Sequence, residues 1–328
     1  MLIPAVAVAV GAAAGWALLW VLLPQLRRRL LDQPNARSSH RLPTPRGGGL
    51  AFVLVAAAAS VLATGVPGFL PLLALPLALV GVLDDRHNLP ASWRYGVQLA
   101  TALLLTLLSP LAQGLPAGLA WWLLPLAPGL LLISVTAVIN FTNFMDGLDG
   151  LVAGCLAIAI AAGTSQLPAP AAPLWALVGA LLGFLAWNWS PAKVFMGDVG
   201  STFLGAVFAG LVLQASSWPQ ALGLLLVATP LLGDACLCVP RRLLAGQRVF
   251  QAHRLHLYQR LHQAGWPHAR VAGLYIAATA LLALALLLAG WQMVVAGAVL
   301  ELAVGVWLDR RVALPFPIAS QNAPVPGR

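Results

Sequence analysis

Long apolar runs separated by short polar connections constrain this chain more than any single motif. A bilayer core about 30 Å thick takes roughly 17 to 25 apolar residues per crossing helix, somewhat fewer inside a bundle. Eleven stretches qualify: Leu2 to Pro24, Leu50 to Thr64, Phe69 to Leu83, Trp93 to Leu108, Leu119 to Ile139, Leu148 to Gly163, Leu174 to Trp187, Thr202 to Ser216, Gln220 to Val239, Val271 to Gly290 and Trp291 to Leu308. The G-V-P-G break before Phe69, and Gly290 followed by an interfacial Trp291, separate neighbouring runs. The expected fold class is therefore all-α, a polytopic integral membrane protein of about eleven transmembrane helices. Residues 1–313 would form one membrane domain with polar loops at 25–49, 84–92, 140–149, 188–201 and 240–270, and residues 314–328 read as a disordered, Pro-rich tail.

Only 8% of the residues are charged, against about a quarter in soluble domains, which excludes a water-soluble globule. The net charge of +9 is spread as punctuation between apolar runs and forms no continuous stripe, so nucleic acid is not an expected partner. Cys155, Cys236 and Cys238 fall inside apolar segments and read as small buried hydrophobes, because the C-L-C pair lacks the neighbouring cluster a zinc site needs. Arg27, Arg28 and Arg29 follow the first apolar run instead of preceding it, so that run reads as a retained helix and not a cleaved signal peptide.

Placing that arginine cluster on the cytoplasmic side puts the N-terminus outside and the C-terminus inside. Alternation then leaves the outer connections at 65–68, 109–118, 164–173, 217–219 and Gly290 without a charged residue. Asp84, Asp85, Asp146, Asp149 and Asp198 gather with the bases on the inner face. Topology rules concern only Lys and Arg, so acids sharing that face point to a site. Glu301 and Asp234 lie deeper, and intramembrane charges are either functional or helix-packing partners.

Five loops carry the chemistry. The first, Asp32 to Gly49, sets Arg37, His40, Arg41 and Arg46 beside three glycines whose backbone N–H groups can approach an anion; contact with lipid headgroups is the alternative. In the second, Asp84 and Asp85 end a helix and Arg94 opens the next, so the adjacent carboxylates need a cation or arginine nearby and read as candidates for Mg²⁺ binding or proton transfer, with a solvated interfacial cap as the bland alternative. The third, N-F-T-N-F-M-D-G-L-D-G-L, spaces Asn140 with Asn143 and Asp146 with Asp149 one helical turn apart, an oxygen-rich set of the kind Mg²⁺ favours. The fourth flanks Asp198 with Gly197 and Gly200, leaving its carboxylate open to a metal-phosphate group, with Phe195 able to stack on a base. The fifth holds His253, Arg254 and His256, two imidazoles and a guanidinium suited to pyrophosphate; zinc is the weaker reading because no cysteine adjoins them in sequence, and a surface amphipathic helix is the bland one.

In order and over nearly its whole length, the chain resembles the polyprenyl-phosphate N-acetylhexosamine-1-phosphate transferases, glycosyltransferase family 4. The motifs are D-x-P-N-x-R-S-S-H-x-x-P-T-P-R-G-G-G, L-D-D, N-x-x-N-x-x-D-G-L-D-G-L, A-K-V-F-M-G-D-x-G-S and H-R-x-H-x-Y-Q-R-L. The resemblance implies Mg²⁺-dependent transfer, with Mn²⁺ as a substitute, of a sugar 1-phosphate from a UDP-N-acetylhexosamine to undecaprenyl phosphate in the bacterial inner membrane, with the site facing the cytoplasm. It implies Asp198 as metal ligand with Asn143 beside it. Gly147, Leu148 and Asp149 with Phe195 and Asn188 would form a uridine pocket, and Arg94 would hold the lipid phosphate. Membrane lipids and a second copy of the chain complete the expected partners. Relatives that transfer phospho-MurNAc-pentapeptide carry adjacent histidines, whereas His253 and His256 are separated here, which favours O-antigen or related surface-glycan initiation. A secondary transporter would set charges at the midplane on broken helices, where only Glu301 and Asp234 qualify. A CDP-alcohol phosphotransferase would need D-G-x-x-A-R, and that pattern is absent.

Overall fold

The structure is a computed structural model and describes residues 2–34, 42–114, 125–169, 171–247 and 253–321. The first apolar run forms α1 (Leu2–Arg29), followed by an antiparallel ribbon of β1 (Leu31–Asp32) and β2 (Thr44–Pro45). Next come α2 (Leu50–Ser60), α3 (Gly65–Leu73), α4 (Leu75–His87), α5 (Ala91–Leu107) and the single turn α6 (Pro110–Gln113). The middle of the chain supplies α7 (Ala127–Met145), α8 (Leu151–Ser165), α9 (Ala172–Asn188) and α10 (Asp198–Leu213). After these run α11 (Trp218–Val227), α12 (Thr229–Leu244), α13 (Leu257–Gln263), α14 (His268–Ala289), α15 (Trp291–Arg311) and α16 (Phe316–Gln321).

Each expected stretch contains a helix or a broken pair, but length and apolarity support fewer crossings than eleven. Among the described residues, five helical units are long and apolar enough to cross a membrane: α1, α3 with α4, α7, α14 and α15; the bent pair α11 and α12 makes six. The shorter apolar helices α2, α8, α9 and α10 owe their apolarity to burial in the bundle as much as to lipid. In α10 every residue from Val199 to Leu213 is buried, as expected of a helix apolar on all sides. It packs against α7, α4 and α8, and its first residue, Asp198, stands where this central post meets the polar end of the bundle.

Small residues set how closely the helices approach. Gly11 and Gly15 of α1 face Ala176 and Ala180 of α9, while Gly179 and Gly183 of α9 face Val8 and Ala12; a β-carbon on any of the four glycines would come under 3.0 Å from the opposing backbone. Such stripes let backbones touch where no hydrophobic effect drives helix association in lipid.

Two expectations need correction. The run Gln220 to Val239 is not one helix: α11 and α12 meet at Ala228 with an 83° bend. Pro230 in the first turn of α12 has no N–H to continue the preceding ladder, so it starts a new helix. The segment from Leu314 is not wholly a disordered tail either. Phe316 and Ala319 of α16 bury against Cys238 and Leu255, Arg260 Nη1 donates to the Leu314 carbonyl at 2.8 Å, and the Arg241 guanidinium lies 4.3 Å over the Phe316 ring. Residues 322–328 lie outside the described residues.

Candidate active site

The site begins where α4 ends against the start of α10. A β-carbon at Gly81 would lie 2.4 Å from the Val199 nitrogen, so glycine one turn before Asp84 lets the two helix ends touch. Asp85 is buried beneath them, with its carboxylate facing the Asp198 and Val199 N–H groups at 3.3 and 3.5 Å. It thus serves N–H groups that a helix start leaves without intrahelical partners. Arg46 Nε lies 3.8 Å from the same carboxylate, and its guanidinium donates to the Asp85 carbonyl. Gly81→Val should therefore lower thermal stability in detergent by about 1–3 kcal/mol through overpacking, with activity lost alongside; an unchanged melting profile would show that the helix ends need no close contact.

Asp84 points the other way, into a cavity of about 340 Å³. Its Oδ1 accepts the Leu89 N–H at 2.6 Å, and its Oδ2 is 3.0 Å from Arg94 Nη1. The same Arg94 nitrogen lies 3.9 Å from Asp198 Oδ2. Asn140 and Asn143, one turn apart on α7, also line the cavity, as do Gln98 of α5, Thr202 of α10, His253 and His256. Asn140 Nδ2 donates to Gln98 Oε1 at 2.7 Å. Gln98 was not expected here, although its place one turn after Arg94 on the same helix was the available signal.

The histidine wall is held from behind by Asp234. That carboxylate accepts the Leu257 and Tyr258 N–H groups at 2.8 and 3.0 Å and the Tyr275 hydroxyl at 2.8 Å, and it lies 3.4 Å from His256 Nδ1. It closes the N-terminus of α13 from another helix. Burial opposes charge on His256, but the Asp234 carboxylate outweighs it and raises the imidazole to about 9. Burial, reinforced by His256 and Arg242, pushes His253 down to about 3. The two stacked rings lie 4.9 Å apart and are pushed in opposite directions, His256 toward the cation and His253 toward the neutral form. Cys238 of α12 joins them, despite being fifteen residues before His253 in sequence.

Other expected residues lie around the cavity and do not line it. The helical condition for pairing Asp146 with Asp149 fails, because α7 ends at Met145. Burial, with Asp85 and Asp149 nearby, pushes Asp146 up to about 7. Asp149 accepts the Ala192 N–H at 3.2 Å and lies 3.1 Å from His268 Nδ1; burial works upward on it, but the His268 contact holds its carboxyl below the ordinary range. Asn188 is buried, accepting the Gly150 N–H and donating to the Val194 carbonyl, each at 2.9 Å. Leu148 is buried, and Gly147 lies against the Tyr258 hydroxyl, where a β-carbon would come within 2.2 Å. Phe195 is half-buried with its backbone bonded to Pro45 and Gly48, and Arg254 is half-buried with its carbonyl accepting from Gln263.

Two of the three glycines after Arg46 are spent on the fold and not on an anion. Gly48 and Gly49 N–H groups donate to the Phe195 and Met196 carbonyls, both at 2.9 Å, and a β-carbon on Gly49 would lie 2.5 Å from the Gly200 Cα. Their smallness joins the first loop to the fourth. Arg37, His40 and Arg41 lie outside the described residues.

Oxygen donors from Asp84, Asp198 and Asn143 meet in one cavity, and the Asp198 side chain keeps 30% of its surface exposed while Asp85 is turned to the backbone. This hard, oxygen-only set fits Mg²⁺.

Residues 68–216 match glycosyl transferase family 4. The decaprenyl-phosphate N-acetylglucosaminephosphotransferase of Mycobacterium leprae is 32% identical over 75% of this chain and 73% of its own. The probable undecaprenyl-phosphate N-acetylglucosaminyl 1-phosphate transferase of Bacillus subtilis is 28% identical over 73% and 71%. A phospho-N-acetylmuramoyl-pentapeptide-transferase of Synechococcus is 34% identical over 85% and 91%. With acids, amides, an arginine and two histidines converging on one cavity, the chain belongs to glycosyl transferase family 4, as a polyprenyl-phosphate sugar-1-phosphate transferase.

Proposed function

We propose that the chain transfers an N-acetylhexosamine 1-phosphate, GlcNAc or a deoxy relative, from a UDP-sugar to undecaprenyl phosphate. A lipid phosphate oxygen bonds to the sugar-bearing phosphorus, the bridging P–O bond breaks, and UMP leaves with the electron pair. The product is undecaprenyl-diphosphate-sugar, the first membrane intermediate of O-antigen or a related surface glycan. The observation that carries this reading is one cavity lined together by Asp84, Arg94, Asn143, Asp198, His253 and His256.

Arg94 holds the lipid phosphate. One of its nitrogens is turned to Asp84, and a guanidinium has further donors for an anion. A phosphate monoester, with second pKa of about 6, is mostly a dianion at neutral pH, so no strong general base is needed and Asp84 serves to orient Arg94. Asp198 with Asn143 would hold Mg²⁺, which when bound offsets the charge of the donor diphosphate. His256 and His253 face the diphosphate oxygens, and Arg254 closes that loop. The site faces the cytoplasm of a bacterial inner membrane, with the N-terminus outside, because Arg27 to Arg29 end α1 at the same polar side as these groups.

A donor panel tests the reading: UDP-GlcNAc, a UDP-deoxy-HexNAc and UDP-MurNAc-pentapeptide, each with undecaprenyl phosphate, Mg²⁺ and the purified full chain, following UMP. Turnover is expected with a simple HexNAc donor. Turnover with the pentapeptide donor alone would replace this reading with peptidoglycan synthesis, which the Synechococcus relative keeps in view.

A further inference from the structure

Cys238, His253 and His256 bring one thiol and two imidazoles together, with a ligand atom from each within 4.8 Å of the others. The oxygen donors assigned to Mg²⁺ are different residues. Cys238 and His256 are buried, the His256 side chain being 2% exposed. Asp234 Oδ1 stands 3.4 Å from His256 Nδ1, the position from which a carboxylate backs a metal-bound histidine and directs its Nε2 to the ion. An N,N,S set favours a borderline ion such as Zn²⁺ over hard Mg²⁺, and three protein ligands leave a fourth position open.

We propose that Cys238, His253 and His256 form a second metal site, for Zn²⁺ or an ion of the same class, whose occupancy withdraws both imidazoles from the cavity. Binding makes one metal–sulfur and two metal–nitrogen bonds, and any proton on the ligating sulfur or ring nitrogens passes to solvent. His253 Nδ1 accepts the Leu255 N–H at 3.2 Å; ligation through Nε2 moves the ring proton to Nδ1 and gives up that bond, whereas ligation through Nδ1 displaces it directly. No redox partner is needed. The loss of activity on occupancy rests on the diphosphate role proposed for the histidines; metal binding itself does not.

Co²⁺ is the probe, added to the purified full chain in detergent. A near-ultraviolet sulfur-to-cobalt charge-transfer band with visible d–d bands is expected, competed away by Zn²⁺. Cys238→Ser should lose the charge-transfer band and keep its Mg²⁺-dependent UMP release when Zn²⁺ is present. Cys236→Ser, at the exposed cysteine two residues away, should keep the band. Absence of the band in the unaltered chain, or its survival in Cys238→Ser, overturns the site. Undiminished UMP release from a Zn²⁺-loaded, band-competent chain overturns the withdrawal of the histidines. A chain that shows the band and yet releases no UMP without Zn²⁺ faults the reaction and leaves the site standing.

Discussion

Asp234→Ala is expected to cost about 3–5 kcal/mol of stability, the range for removing one partner from a buried charged pair. The Asp234 side chain is 4% exposed and receives two backbone N–H groups, the Tyr275 hydroxyl and the charge of His256. Alanine would leave all of them buried with nothing to accept. The N-terminus of α13 would lose its closure, and with it the position of the histidine wall. Thermal unfolding in detergent measures the loss. Tyr275→Phe removes only one donor and should cost about 1 kcal/mol, so equal effects of the two substitutions would contradict the central place given to Asp234.

Arg94→Ala is expected to reduce UMP release by about 10²- to 10³-fold, the usual range for losing a fixed donor aimed at a reacting oxyanion. The apparent KM for undecaprenyl phosphate should rise more than that for the UDP-sugar. Arg94→Lys should recover little. A compact ammonium cannot reproduce the planar fork that lies 3.0 Å from Asp84 and 3.9 Å from Asp198. A variant with unaltered kinetics toward the lipid would move the phosphate site elsewhere in the cavity.

How far the sequence foretold this arrangement follows from the physics of each signal. Apolar runs and charges are local, so the helices and the polar ends of α4, α7 and α10 could be read directly. Asp84, Arg94, Asn140, Asn143, Asp198, His253 and His256 do come to one cavity. The break at Ala228 was hidden, because Thr229 and Pro230 sit within an unbroken apolar run and proline is tolerated in a first helical turn. That bend carries Asp234 and Cys238 to residues 253–258. From sequence, Asp234 therefore stayed open between a functional charge and a helix-packing partner, and Cys238 read as a small hydrophobe. The glycines after Arg46 misled for a related reason. A residue without a β-carbon admits an anion or a neighbouring backbone equally well, and at Gly49 it is Gly200 that occupies the space. Asn188 and Asp149 carry the polar groups expected of a nucleoside pocket, and here the Asn188 oxygen accepts the Gly150 N–H while one Asp149 oxygen accepts the Ala192 N–H.

The central claim is that the cavity at the start of α10 is where donor and lipid phosphate meet, with Asp198 as its metal-binding carboxylate. Its most direct measurement is Mg²⁺-dependent UMP release from UDP-GlcNAc and undecaprenyl phosphate by Asp198→Ala, purified beside the unaltered chain. Because the side chain is partly exposed and its backbone N–H still faces Asp85, the variant should keep its melting profile. It should lose about 100-fold or more of the rate, at least the effect of disturbing a metal ligand's support. A folded Asp198→Ala variant that releases UMP at the rate of the unaltered chain would contradict the account.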